Sequence, residues 1–141
     1  MDKPETSGDI IRIPSETRYI ADVDEFIESR LRDAGLNNSI IADLAISVTE
    51  IVNNAILHGN GADANKIVQV RLTVTPERIE VRVKDQGRGF DPDKIPDPLA
   101  EANLLNVVGR GLLIVRSLMD SVDFNFSDSG TEIVIAKSIN K

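Results

Sequence analysis

The sequence contains no cysteine, which excludes a disulfide framework, Cys-ligated zinc and a thiol nucleophile. It has no apolar run approaching ~18 residues, so no segment is expected to span a membrane. Met1 to Gly8 is polar and acidic, unlike a signal peptide. Basic residues are in deficit: 16 Lys and Arg stand against 23 Asp and Glu, a formal charge of −7. That balance argues against sequence-independent nucleic-acid binding. Internal repeats, low-complexity tracts and linkers are also missing. The expectation is a flexible N-terminus over 1–9 and one domain over 10–141. A chain of 141 residues can bury a sizeable core without a staple. The acidity is uneven. Residues 1–65 hold 12 acids and 5 bases, whereas residues 66–141 hold 11 of each.

What is present reads as alternating elements. Ile10 to Ile13 forms a short strand ending at Pro14. Ser15 then caps a helix from Glu16 to Ala34, with Tyr19, Ile20, Val23, Phe26, Ile27 and Leu31 recurring at three and four. Gly35 stands where a helix-ending glycine belongs. A second helix runs from Asn38 to His58. Ile41, Leu44, Ala45, Val48, Ile51, Val52, Ala55 and Ile56 form its apolar arc, opposite Asp43, Ser47, Glu50, Asn54 and His58. Gly59-Asn60-Gly61 ends it. Val68 to Val74 and Ile79 to Val83 alternate as a hairpin around Thr75-Pro76-Glu77-Arg78. Residues 86–108 are loop-like, and so long a segment is usually functional. A helix from Gly109 to Asp120 and two strands, Val122 to Ser127 and Thr131 to Ser138, follow. Grouped hairpins and helices predict an α+β two-layer sandwich with a mostly antiparallel sheet covered on one face by helices.

Four places carry chemistry. Glu50, Asn54 and His58 share a helix face by their spacing of four, as an ordinary solvated face also does. Asn53 and Asn54 are poor mid-helix residues, however. Asp85 continues the inward alternation of Ile79, Val81 and Val83. A carboxylate there needs a donor, such as a bound amine, unless the strand has already ended and Asp85 begins a turn. Gly87 and Gly89, before Phe90, permit close backbone approach to a ligand, although such pairs often mark plain turns. Gly109-Arg110-Gly111 opens a helix, where free N–H groups and the dipole attract anions. No Lys-Ser/Thr follows, so it is not a Walker A loop, and its context is not that of a dinucleotide fingerprint.

Order and spacing together are more specific. Glu50-xxx-Asn54-Ala55-xx-His58-Gly59, Asp85-x-Gly87-x-Gly89-Phe90, Gly109-x-Gly111-Leu112 and Gly130-Thr131 resemble the N, G1, G2 and G3 boxes of the GHKL ATPase superfamily. The short chain and the run from Gly109 to Asp120 look most like the RsbW/SpoIIAB-type anti-sigma-factor serine kinases. The resemblance covers about residues 10 to 138. It implies a Bergerat fold that holds ATP or ADP with Mg²⁺ under a lid. In that family Asn54 matches the Mg²⁺-binding asparagine, Glu50 the catalytic base and Asp85 the acceptor of the adenine amino group. Gly87 and Gly89 shape the adenine pocket, beside Thr131. His58, Phe90 and Leu112 fall within the same boxes, and Gly109 and Gly111 match the phosphate-binding end of the lid. Some members carry an arginine where this sequence has Val107. Arg110 or Arg88, or a partner's residue, could take its role at the terminal phosphate.

The resemblance implies a cytoplasmic protein-serine kinase. It would phosphorylate a serine of a STAS-domain anti-sigma factor antagonist and sequester a sigma factor or other client. A nucleotide-binding module that captures a partner without phosphorylating it fits the valine at 107. A detached histidine-kinase domain fits less well, because the single histidine lies inside the nucleotide motif. The family tends to homodimerise through its first strand and sheet edge, a role Ile10 to Ile13 could fill if unpaired. The acidic cluster Asp22, Asp24, Glu25 and Glu28 suits either a basic partner surface or a solvated face. Neither direct nucleic-acid contact nor a membrane is expected.

Overall fold

The computed structural model describes residues 2–87 and 111–139. Strand β1 (Glu5–Ser7) and strand β2 (Ile10–Pro14) precede a 3₁₀ turn, Thr17–Tyr19. Helices α1 (Ile20–Asp33) and α2 (Asn38–Asn54) follow, and α2 runs on into a π turn, Ala55–Gly59. Then come β3 (Ile67–Val74), β4 (Arg78–Lys84), α3 (Gly111–Leu118), β5 (Ser121–Ser127) and β6 (Gly130–Ser138). The sheet has six strands in the order β1-β2-β3-β4-β6-β5, and every pairing is antiparallel. It is the α+β layered architecture that the order of elements predicts.

Period-two alternation produces the sheet's apolar face. Ile11 and Ile13, Val68, Val70 and Leu72, and Ile79, Val81 and Val83 are all buried. Val23, Phe26, Ile27 and Leu31 of α1 and Leu44, Val48, Ile51 and Val52 of α2 complete one core with them. On the other face Arg82 lies between Glu80 and Glu132, at 2.9 and 3.2 Å. The stretch Asn38–Gly59 is long and apolar enough to match a membrane span by length and composition. Its apolar arc instead supplies the middle of this core, which is why polar residues interrupt any continuous run.

Helix ends follow local chemistry. Asn37 caps α2 by accepting the Ile40 amide at 2.9 Å, which typically contributes about 1 kcal/mol. Gly35, at φ +80°, ends α1. The Leu36 amide then reaches back to Leu31 O at 3.1 Å, as in a Schellman motif.

Three expectations change, and the N-terminal segment makes contacts of its own. Glu5–Ser7 pairs with β2, Arg30 donates to Gly8 O at 2.8 Å, and Tyr19 donates to Asp2 O at 3.0 Å. Consequently Ile10 to Ile13 is not a free edge, because β2 is paired on both sides. Ser15 does not cap the first helix: its hydroxyl donates to Lys66 O at 2.8 Å, and a 3₁₀ turn precedes α1. Ser47 is buried rather than on a wet face, and among the described residues its hydroxyl has no hydrogen-bond partner. The expected loop over 86–108 lies almost wholly outside the described residues, as does the start of the third helix at Gly109.

The acidic cluster on α1 is electrically coupled to folding. Burial pushes the Asp24 carboxyl up from 3.8 to about 6, and hydrogen bonding to Glu28 and the charge of Glu28 add to the rise. The folded state therefore holds this proton more tightly than the unfolded chain. The resulting stabilisation is complete below 3.8 and is lost as pH rises through about 6. Asp24→Asn should gain stability relative to the parent between about pH 4 and pH 7, read as the difference in urea midpoints. A difference that does not grow across that range would contradict the assignment.

Candidate nucleotide site

The site begins at the end of β4. Asp85 is buried, and its amide donates to Thr131 O at 3.0 Å, extending the β4–β6 ladder by one residue. Its side chain thus falls on the inner face, as the alternation predicts. Oδ1 accepts the amides of Gly87 and Thr131, each at 3.0 Å. Both donors reach the same oxygen, and Oδ2 lies against Gly59. A carboxylate offers about four lone-pair sites, so this one keeps acceptor capacity for a ligand's N–H.

Three glycines make the room. A Cβ at Gly59 would land on Oδ2 of Asp85, one at Gly87 on Gly59 O, and one at Gly130 on Asp85 O. Gly130 also has φ +138°, which side-chain-bearing residues rarely adopt. The π turn after α2, the end of β4 and the start of β6 therefore meet closely, with the Asp85 carboxylate packed between them.

A second cluster lies at the start of α3. Glu50 and Asn54, one turn apart on α2, are both half-buried. A Cβ at Gly111 would stand 2.7 Å from Glu50 Oε2 and 3.6 Å from Asn54 Nδ2. Folding thus brings the helix stripe and the second glycine box together, although they are far apart in sequence. Leu112, next on α3, is buried. Beyond Asn54 the helix widens into the π turn, with the Asn60 amide on Ala55 O at 2.8 Å. That interrupts the spacing of four, and His58 is exposed. π turns are frequent at functional sites. Arg88, Gly89, Phe90, Val107, Gly109 and Arg110 lie outside the described residues.

In the sequence Asn60 stands out only as part of a helix stop. In the structure it is buried, with both ends of its amide engaged. One signal was available: a single glycine is enough to stop a helix, and here an asparagine stands between two.

Comparison with known proteins points to one family. Residues 13–137 match the model of the histidine kinase-like ATPase domain. A serine-protein kinase RsbW of Bacillus velezensis is 33% identical, over 96% of this chain and 89% of its own. An anti-sigma F factor of Clostridium perfringens is 29% identical, over 89% of this chain and 84% of its own. Among solved structures, the RsbU and RsbW domains of Rv1364c from Mycobacterium tuberculosis share the fold. The TM-score is 0.67 at 19% identity, over 91% of this chain and 30% of that longer one. The chain belongs to the histidine kinase-like ATPase domain family, and within it to the RsbW-type serine-protein kinases. It is accordingly an ATP-binding domain.

The glycine cradle has a direct test. Gly59→Ala should displace Asp85 and cost about 1–3 kcal/mol in a urea titration, the usual range for overpacking. Unchanged stability would show that Asp85 does not press on the end of α2.

Proposed function

We propose that this protein is an anti-sigma-factor kinase that uses Mg-ATP to phosphorylate a serine of a STAS-domain antagonist. Otherwise it sequesters a sigma factor or similar client in the cytoplasm. The observation that carries the reading is the buried Asp85 with its glycine cradle, in a chain whose Glu50, Asn54 and Gly111 also converge. Relatives named as a serine-protein kinase and as an anti-sigma factor support the two halves of the role.

In this reading Asp85 Oδ2 accepts the adenine amino group, and Gly87, Gly89, Phe90 and Thr131 surround the base. Gly109, Arg110 and Gly111 meet the phosphates with the free N–H groups of the helix start. His58 and Leu112 border the nucleotide. The amide oxygen of Asn54, beside the Glu50 carboxylate, is a hard donor that fits Mg²⁺, which commonly shares its shell with phosphates and water. The metal supplies charge neutralisation for phosphoryl transfer. Glu50 accepts the proton of the attacking serine hydroxyl, a role that typically contributes about 10²–10⁴-fold. Arg110 stands in for the arginine that Val107 replaces.

Val107 favours one second reading, in which nucleotide only sets the lid and control is stoichiometric capture. Transfer of labelled phosphate to a cognate antagonist separates the two. Asn54→Ala and Asp85→Asn should each weaken Mg-ATP binding at least about tenfold, the value of one charge-assisted contact. Tight binding retained by both refutes the site. Glu50→Ala should keep ATP binding and lose transfer by at least about 100-fold. Unchanged transfer would remove Glu50 as the base.

A further inference from the structure

Asn60 joins four segments through one side chain. Its Oδ1 accepts the Gln86 amide at 2.7 Å. Its Nδ2 donates to Ser15 Oγ at 2.7 Å and to Ile67 O at 3.1 Å. Gln86 returns the link, since its Oε1 accepts the Ile67 amide at 2.7 Å. Ser15 is tied in turn to Lys66 O by its amide at 3.1 Å and its hydroxyl at 2.8 Å. The residue after β2, the residue after the π turn, the start of β3 and the residue after Asp85 are therefore held in one network centred on the buried Asn60 and Ser15. Asn60 is only 3% exposed and Ser15 only 1%, so the bond between them, at the centre of the network, is shielded from water.

The bond to Gln86 matters because of what that amide belongs to. It lies on the peptide that joins Asp85 to Gln86. Asp85 is fixed on one side by β6, through its amide and through the Thr131 amide on Oδ1. Asn60 fixes the next peptide from the opposite side, from the helix layer. The Gly87 amide, which also reaches Oδ1, follows immediately. Hydrogen bonds weaken steeply with misalignment, so an acceptor selects a ligand group only while its direction is held. Without the Asn60 side-chain amide, the Gln86 N–H and Ile67 O lose these partners, and the segment shifts to satisfy them.

We propose that Asn60 is a positioning residue for base selection: it aims Asp85 so that the site prefers a purine bearing a 6-amino group. The proposal rests on the reading of Asp85 as the acceptor of that group. A purely structural role predicts loss of stability alone. A positioning role predicts loss of discrimination between two ligands that differ only at the 6-position.

The experiment compares equilibrium binding of Mg-ATP and of purine riboside triphosphate, which lacks the 6-amino group, to the full chain. The parent protein should prefer ATP by about 10- to 100-fold, the value of one hydrogen bond to a charged group. In Asn60→Ala that preference should fall below about threefold, with affinity for the analogue changed by less than that. Leu72→Ala opens a cavity in the core within β3, and the preference should survive it. Ser15→Ala removes one partner of the Asn60 amide and should lower the preference by a smaller factor. Preference kept at the parent value in Asn60→Ala overturns the proposal and leaves the nucleotide site intact. If Asn60→Ala does not fold, Ser15→Ala decides by the same criterion. A parent protein that binds both ligands equally overturns the role of Asp85 and this proposal with it.

Discussion

The fold closes around one carboxylate. Asp85 sits on the inner face of the sheet, where an ionised group without donors costs several kcal/mol or more. Two backbone amides reach it, one from its own turn and one from β6. Bringing them there requires the β5–β6 hairpin to turn at Gly130, so that Thr131 lines up with Asp85. It also requires α2 to end against Asp85, which only a glycine at 59 allows. The π turn, the buried Asn60 and the glycines at 87 and 130 follow from placing helix end and strand end together. The functional reading rests on the same fact, because the donors that stabilise Asp85 leave it able to accept one more.

The second cluster depends on the first. Once the π turn after α2 ends against Asp85, Asn54 and Glu50 lie about one and two turns back from that end, beside the start of α3. In the proposed function, an amino-accepting end and a hard-oxygen end then stand along one helix. That order suits a nucleotide with its base at one end and its phosphates at the other. Charge fits as well. The half of the chain that carries Asp85, Gly111 and Arg110 is balanced, whereas the excess acid belongs to residues 1–65.

Much of this was legible in the sequence. The hairpin turn at Thr75-Pro76-Glu77-Arg78, the apolar arcs of α1 and α2, and Gly35 as a helix stop all follow from local pattern. So did the inward placement of Asp85, which needed only period two carried one residue past the strand. Other features depend on partners distant in sequence. Glu5–Ser7 is polar and has no pattern of its own. It forms a strand by pairing with β2, while Tyr19 and Arg30 donate to the flanking carbonyls of Asp2 and Gly8. Ser15 looks like a helix cap by position, but its hydroxyl donates to Lys66 O and accepts from the Asn60 side chain. The π turn was signalled only by two asparagines unsuited to a helix interior. Ser47 faces inward because the apolar arc of α2 is wider than its apolar residues.

The central claim is that Asp85, Glu50 and Asn54 belong to one nucleotide site. Amide chemical shifts followed by NMR during a Mg-ATP titration test it most directly. The account predicts saturating shifts at Gly59, Gly87 and Thr131 around the carboxylate, together with Asn54 and Gly111 at the other cluster. Saturable ATP binding that leaves these amides unmoved, with shifts confined to another face of the protein, would contradict it.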